Sequence, residues 1–319
     1  MVTFSYVNPD ATAVYLVGEM NDWQPQATPM HKGLAGSWSV TLALAPGQWV
    51  YKLVVDGVYL TDPAPQCRAA RDGQGGQHSY RLVGDGDFQY HAAIPHGVVT
   101  AMSFPSQALQ ATADLNVYLP PVTSLTGLPV LILLHGSGMD RQQWADNGLI
   151  ANYLDNLLAR NQIVPFVVAL PSYMAFANHD SLLDYFAADV PRFLHDQFGT
   201  ADQPAQLALA GMSLGGWVTL RVGSHAPDRF GLLLPISAYY PIPISDPTGA
   251  ANLRRVGRLI CYCGTEDYLF RNNELLTEWL RACGVTFQYH KAAGGHTWRY
   301  WNAMTPDFLK QVAAFFQGV

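Results

Sequence analysis

The chain has 319 residues, of which 49% are hydrophobic and 13% charged, with a formal net charge of −6. This composition excludes a disordered chain, and an acidic balance without any Lys/Arg cluster excludes a basic nucleic-acid surface. Apolar runs such as "LPVLILL" (128–134) are too short to cross a bilayer, and four scattered cysteines are too few to staple a chain this long.

Residues 1–85 are rich in Gly, Trp and Tyr. In "SWSVTLAL" (37–44), Trp38, Val40, Leu42 and Leu44 fall on one strand face; "QWVYKLVVDGVYL" (48–60) reads as two strands turning at Asp56–Gly57. No helical period occurs here, so a small antiparallel β-sandwich of immunoglobulin-like type is expected. Residues 86–112, interrupted by His91, Pro95, Gly97 and Pro105, read as a linker plus a first edge strand in "HGVVTAMSF" (96–104).

From 113 to 319 the texture changes. Apolar runs at 129–136, 163–171, 205–211, 230–238, 257–264 and 285–292 alternate with amphipathic segments at about 141–160, 180–198, 214–226, 271–283 and 305–317. Strands apolar throughout are buried on both faces, which predicts an α/β domain with a mostly parallel, helix-covered sheet. Cys261 and Cys263 lie two apart on one of these strands and read as reduced core thiols; no metal site is expected.

The run at 205–211 leads into "AGMSLGG" (210–216). Gly211-Met212-Ser213-Leu214-Gly215 is a G-x-S-x-G pattern between a strand and a helix, where a serine occupies a strained turn and glycines let strand and helix approach. A helix starting after Ser213 aims the Leu214 N–H at a developing oxyanion. An acid and a histidine should follow, each at a strand end. "TEDYLF" offers Asp267, with Glu266 as the alternative, and "AGGHTWRYW" offers His296. These three residues would form a Ser–His–Asp relay for acyl transfer through a covalent intermediate. In "HGSGMD" (135–140) the Ser137 amide is the expected second oxyanion donor, and His135 reads as a loop-shaping residue. Trp144, Tyr239 and Trp298, near strand ends, are expected to line a substrate pocket.

"LPVLILLHGSGMDRQQW", "ADVPRFLHDQFGT", "AGMSLGG", "CGTEDYL" and "GGHTWRYW" together resemble the α/β-hydrolase family of esterase D, the family 1 carbohydrate esterases (feruloyl and acetylxylan esterases) and the enterochelin esterases. The resemblance implies an α/β-hydrolase fold and carboxylesterase activity. It implies Ser213, Asp267 and His296 as the triad, the amides of Leu214 and Ser137 as the oxyanion hole, and no cofactor. It points to aromatic, feruloyl-like or short-chain acyl esters, including esters of sugars; siderophore esters are the alternative. A carbohydrate-binding scaffold with an inactive hydrolase domain is the reading from another class. "VYLVGEMNDWQPQATPM", "GSWSVTLALAPGQWVYKLVVDGVYLTDP" and "DGQGGQHSY" resemble the early-set domain of family 48 carbohydrate-binding modules. That resemblance implies sugar contacts by Trp23 and Lys52, or a module that shapes the neighbouring pocket. The expected partners are a small-molecule ester and a carbohydrate, with self-association left open; neither nucleic acid nor membrane is expected. No basic segment followed by a long apolar stretch opens the chain, so a cytoplasmic location is expected.

Overall fold

The computed structural model describes residues 1–65, 67–71, 76–176, 179–241 and 247–318. The chain divides into two compact units, Met1–Tyr90 and His91–Val319.

The first unit is all-β. Strands β1 (Val2–Val7), β2 (Val14–Gly18), β3 (His31–Lys32), β4 (Ser37–Leu42), β5 (Gly47–Val55), β6 (Val58–Leu60), β7 (Arg68–Arg71) and β8 (Gln77–Val83) form two antiparallel sheets. One has the order β1-β4-β3; the other runs β2-β5-β8-β7, with β6 hairpinned onto β5. Alternation explains their shared core. Phe4, Leu16, Trp38, Tyr51 and Leu53 point inward from strands of both sheets. Of the "DGQGGQHSY" motif, residues 72–75 lie outside the described residues.

Among the described residues, the second unit holds one eight-stranded sheet. Its strands are β9 (Val98–Ser106), β10 (Ala111–Leu119), β11 (Val130–Leu134), β12 (Val167–Pro171), β13 (Leu207–Met212), β14 (Leu232–Ile236), β15 (Arg258–Gly264) and β16 (Gln288–Ala292), in the order β16-β15-β14-β13-β11-β12-β10-β9. The six strands from β16 to β12 run parallel; β10 and β9 are antiparallel additions at one edge. Every residue of β11, β12, β13 and β14 is buried, as their unbroken apolar runs require between two helical layers. The α-helices among the unit's described residues are α1 (Gln143–Asp146), α2 (Ile150–Ala159), α3 (Ser181–Asp184), α4 (Val190–Phe198), α5 (Leu214–His225), α6 (Pro247–Leu253), α7 (Phe270–Ala282) and α8 (Trp298–Phe316). Among the described residues, no helix is long and apolar enough to cross a membrane.

Several elements differ from the sequence expectation: α6 falls in no expected helix, and the helix expected over 180–198 is α3 and α4 joined by a π-helical turn over Tyr185–Asp189. The helix expected over 141–160 is two, α1 and α2, because Leu149 takes a left-handed conformation at φ 49°. Helix α8 begins at Trp298 rather than near 305. Pro306 mimics a helix start, but the buried stripe Trp298, Trp301, Thr305, Phe308, Leu309 and Val312 runs through it at helical spacing. Strand β10 was not expected, and a boundary at 113 would cut it. Asp114 and Asn116 break its apolar run; Asn116 is nonetheless buried, its amide donating to the Arg141 carbonyl and to Gln142 Oε1 at the start of α1.

Candidate active site

Ser213 stands between β13 and α5 at φ 56°, ψ −119°. A serine with positive φ is uncommon and must be imposed by its surroundings. Here its N–H donates to the Ile236 carbonyl at 2.8 Å, and its carbonyl accepts from the Tyr239 N–H at 3.0 Å, so the exit of β14 grips it at both ends. The glycines act through contact. A Cβ on Gly211 would lie 2.5 Å from the Gly215 carbonyl oxygen, and one on Gly215 would lie 2.6 Å from that of His135. Strand, helix and the β11 loop thus meet backbone to backbone beneath the serine.

Asp267 lies in the turn between β15 and α7, its side chain inaccessible to solvent. One carboxylate oxygen accepts the Leu269 N–H at 2.7 Å, which fixes the group at the start of α7. His296 lies between β16 and α8. The two loops are laced together: the Gly294 carbonyl accepts the Glu266 N–H at 3.0 Å, and a Cβ on Gly264 would strike that carbonyl at 2.1 Å. His296 Nδ1 sits 2.9 and 3.1 Å from the two Asp267 oxygens, and Nε2 sits 3.0 Å from Ser213 Oγ. Since a carboxylate only accepts, Nδ1 carries the proton and Nε2 is left to accept the serine hydroxyl. Glu266, the other carboxylate considered, is exposed.

Leu214 is the first residue of α5, so its N–H has no acceptor within the helix. The β11 loop faces it across Ser213: a Cβ on Gly136 would sit 3.4 Å from the serine Cβ. Ser137 follows, exposed, in a turn with Gly138 at φ 71°. His135 is buried beneath this loop, its ring stacked on Tyr173 at 4.4 Å and its carbonyl accepting the Tyr173 hydroxyl at 2.5 Å.

The aromatic residues divide. Trp144 and Trp298 are buried, 1% and 6% exposed, and the Trp144 indole N–H is spent on the Leu134 carbonyl at 3.0 Å. Tyr239 is 45% exposed beside Ser213, tied to it through its backbone. Tyr268, missed in the sequence, is 76% exposed with its ring 4.6 Å from that of His296. Its only sequence signal is that it directly follows Asp267. In the first unit Trp23 is exposed and Lys52 half-buried on β5, whereas Trp38 and Trp49 are core.

A mostly parallel sheet carrying a gripped serine on a central strand, with an acid and a histidine at neighbouring strand ends, defines an α/β-hydrolase-like protein with an N-terminal β domain. Residues 106–311, well over half the chain, match the family described as "Putative esterase", and the chain belongs to that family. Residues 1–89 match the family described as "Glycogen recognition site of AMP-activated protein kinase". Both resemblances read from the sequence are thereby borne out. An endo-1,4-beta-xylanase/feruloyl esterase of Xylanibacter ruminicola is 28% identical over 251 residues, covering 69% of this chain and 33% of that protein. An uncharacterized Corynebacterium glutamicum protein is 25% identical over 166 residues, covering 48% of this chain and 37% of its own. The chain thus spans about a third of the length of these curated relatives. Among solved structures, the enterobactin esterase of Shigella flexneri superposes with a TM-score of 0.73 at 19% identity, covering 99% of this chain and 92% of its own. A ferulic acid esterase of Anaeromyces mucronatus superposes with a TM-score of 0.64 at 15% identity, covering 77% and 97%.

Proposed function

We propose that this protein is a carboxylesterase working through a Ser213–His296–Asp267 triad. The observation that carries the reading is the unbroken hydrogen-bond path from Ser213 Oγ through both ring nitrogens of His296 to Asp267, with the serine held at positive φ. His296 Nε2 takes the hydroxyl proton as Ser213 attacks the ester carbonyl. Asp267 holds the tautomer and stabilises the imidazolium. The amides of Leu214 and Ser137 receive the oxyanion, each worth about 3 kcal/mol in an enclosed site. The alcohol leaves with the proton from His296; water then attacks the acyl-enzyme as His296 takes its proton, and Ser213 Oγ leaves with that proton as the acid is released.

The substrates are esters with an aromatic, feruloyl-like or short acyl group, including those of sugars. The exposed rings of Tyr239 and Tyr268, beside Ser213 and His296, support an aromatic or flat group there. The test is hydrolysis of p-nitrophenyl acetate and methyl ferulate by the parent protein and by Ser213→Ala. The variant should lose about a thousandfold or more of kcat. A variant as active as the parent would remove Ser213 from the mechanism. A parent inert on both esters would turn attention to cyclic siderophore lactones, and then to the binding-scaffold reading.

A further inference from the structure

The segment that grips Ser213 also reaches His296, by a second route. Between Ile236 and Tyr239, whose backbone holds the serine at both ends, lies Ser237, fully buried and itself at φ 45°. Its N–H donates to the Tyr262 carbonyl on β15 at 2.7 Å. Its hydroxyl accepts the indole N–H of Trp301 at 3.2 Å. The Trp301 ring meets that of His296 edge to face, with centroids 5.0 Å apart and planes at 82°. Trp301 also packs at 5.3 Å and 87° against Trp298, which packs at 5.2 Å and 88° against Trp144. The Trp144 indole N–H ends the stack on Leu134, the last residue of β11.

The structure assigns Ser237 and Trp301 as positioning residues for His296, an inference that rests on the triad reading above. Both proton-transfer partners are referenced to the same four residues, 236–239: Ser213 through its backbone, His296 through Ser237 and Trp301. The arrangement has a chemical purpose. A histidine on a glycine-flanked loop can turn about its side-chain torsions, and a base displaced by an ångström loses much of its rate. The Asp267 carboxylate fixes one end of the ring. The perpendicular indole limits its swing about that end, and the hydrogen bond to Ser237 fixes the indole. Both residues act through the His296 ring, so the effect belongs to kcat rather than to substrate affinity.

The test compares Trp301→Phe and Ser237→Ala, singly and together, with Leu309→Ala, which opens a cavity on the same helix farther along α8. Kinetics are read well below each variant's melting temperature. Trp301→Phe should lower kcat about 10- to 100-fold with KM within about twofold of the parent. Ser237→Ala should lower kcat several-fold in the parent but no further in the Trp301→Phe background, because the two share one hydrogen bond. Leu309→Ala should lose melting temperature and keep kcat. A Trp301→Phe protein that melts early but turns over like the parent would overturn the proposal, as would full additivity of the pair. If Trp301→Phe does not fold, Ser237→Ala with unchanged kcat overturns it alone. The outcomes separate the two readings. An inert Ser213→Ala beside a fully active Trp301→Phe sinks only the positioning role. An active Ser213→Ala sinks the triad on which it stands.

Discussion

His135 sits at the exit of β11 with almost no exposure, directly before the loop that faces Ser213. Its Nδ1–H donates to the Gly136 carbonyl at 2.8 Å, and among the described residues its Nε2 has no hydrogen-bond partner. Burial therefore favours the neutral ring, and desolvation outweighs the Gly136 carbonyl and the Asp140 charge to bring its pKa down to about 4. An unfolded histidine titrates near 6.5, so the unfolded chain binds more protons over the interval between. The stability this group supports is fully present above about pH 6.5 and is lost as the pH falls toward 4, by up to about 3 kcal/mol. His135→Asn removes the titration and keeps a donor near Gly136. Its unfolding free energy in urea should change less between pH 7 and 4.5 than that of the parent; parallel curves would contradict the assignment. In the sequence His135 competes with His296 for the role of base, and residue type alone does not separate them. What separates them is the company each keeps: one carbonyl and one phenol ring for His135, a carboxylate and a hydroxyl for His296.

At the scale of elements, the β13–α5 junction is the part most legible from sequence, because its backbone contacts leave no choice of residue. Gly215 lies within α5 at an ordinary helical φ, so its need for glycine is one of space alone. A Cβ there would press on the His135 carbonyl and on Leu134. Gly215→Ala should push the β11 loop away from Ser213, costing about a hundredfold in ester turnover and lowering the melting temperature. Activity within a few-fold of the parent would show that the loop yields freely. The sequence already singles out Ser213, Asp267 and His296, whose side chains the structure brings together, because each follows a recognisable strand and sits among glycines or turn residues. It does not single out Trp301, Ser237 or Tyr268. An aromatic stripe at helical spacing reads as core whether or not it also steadies a ring, and nothing in "PISA" (235–238) marks Ser237 as buried at positive φ. The early start of α8 escaped for a related reason: a proline at 306 is the stronger local signal, and only the tertiary burial of Trp298 and Trp301 overrides it.

At the scale of the whole molecule, each of the two units owns a hydrophobic core, and the first unit carries its own test. Trp23 is exposed at φ 58°, next to Asp22 at φ 51°, with its N–H on the Gly18 carbonyl at 2.9 Å. A large aromatic held in that conformation in the open costs about 1–3 kcal/mol. A glycan-binding role for this unit predicts retarded migration of the protein in amylose-containing native gels, abolished by Trp23→Ala. Unchanged mobility with and without amylose would leave Trp23 without that role. The second unit has an asymmetry of its own. Ser213 hangs from a strand flanked on both sides, whereas His296 follows β16, which among the described residues has only β15 as a neighbour. Outermost strands open at lower free energy than central ones. On heating, the histidine should therefore leave its place while most of the sheet is still folded. The temperature at which ester turnover is half lost should fall below the midpoint of global melting. Shelf life would then be limited by one peripheral strand, and the most effective place to add thermal endurance would be the outer side of β16 rather than the core.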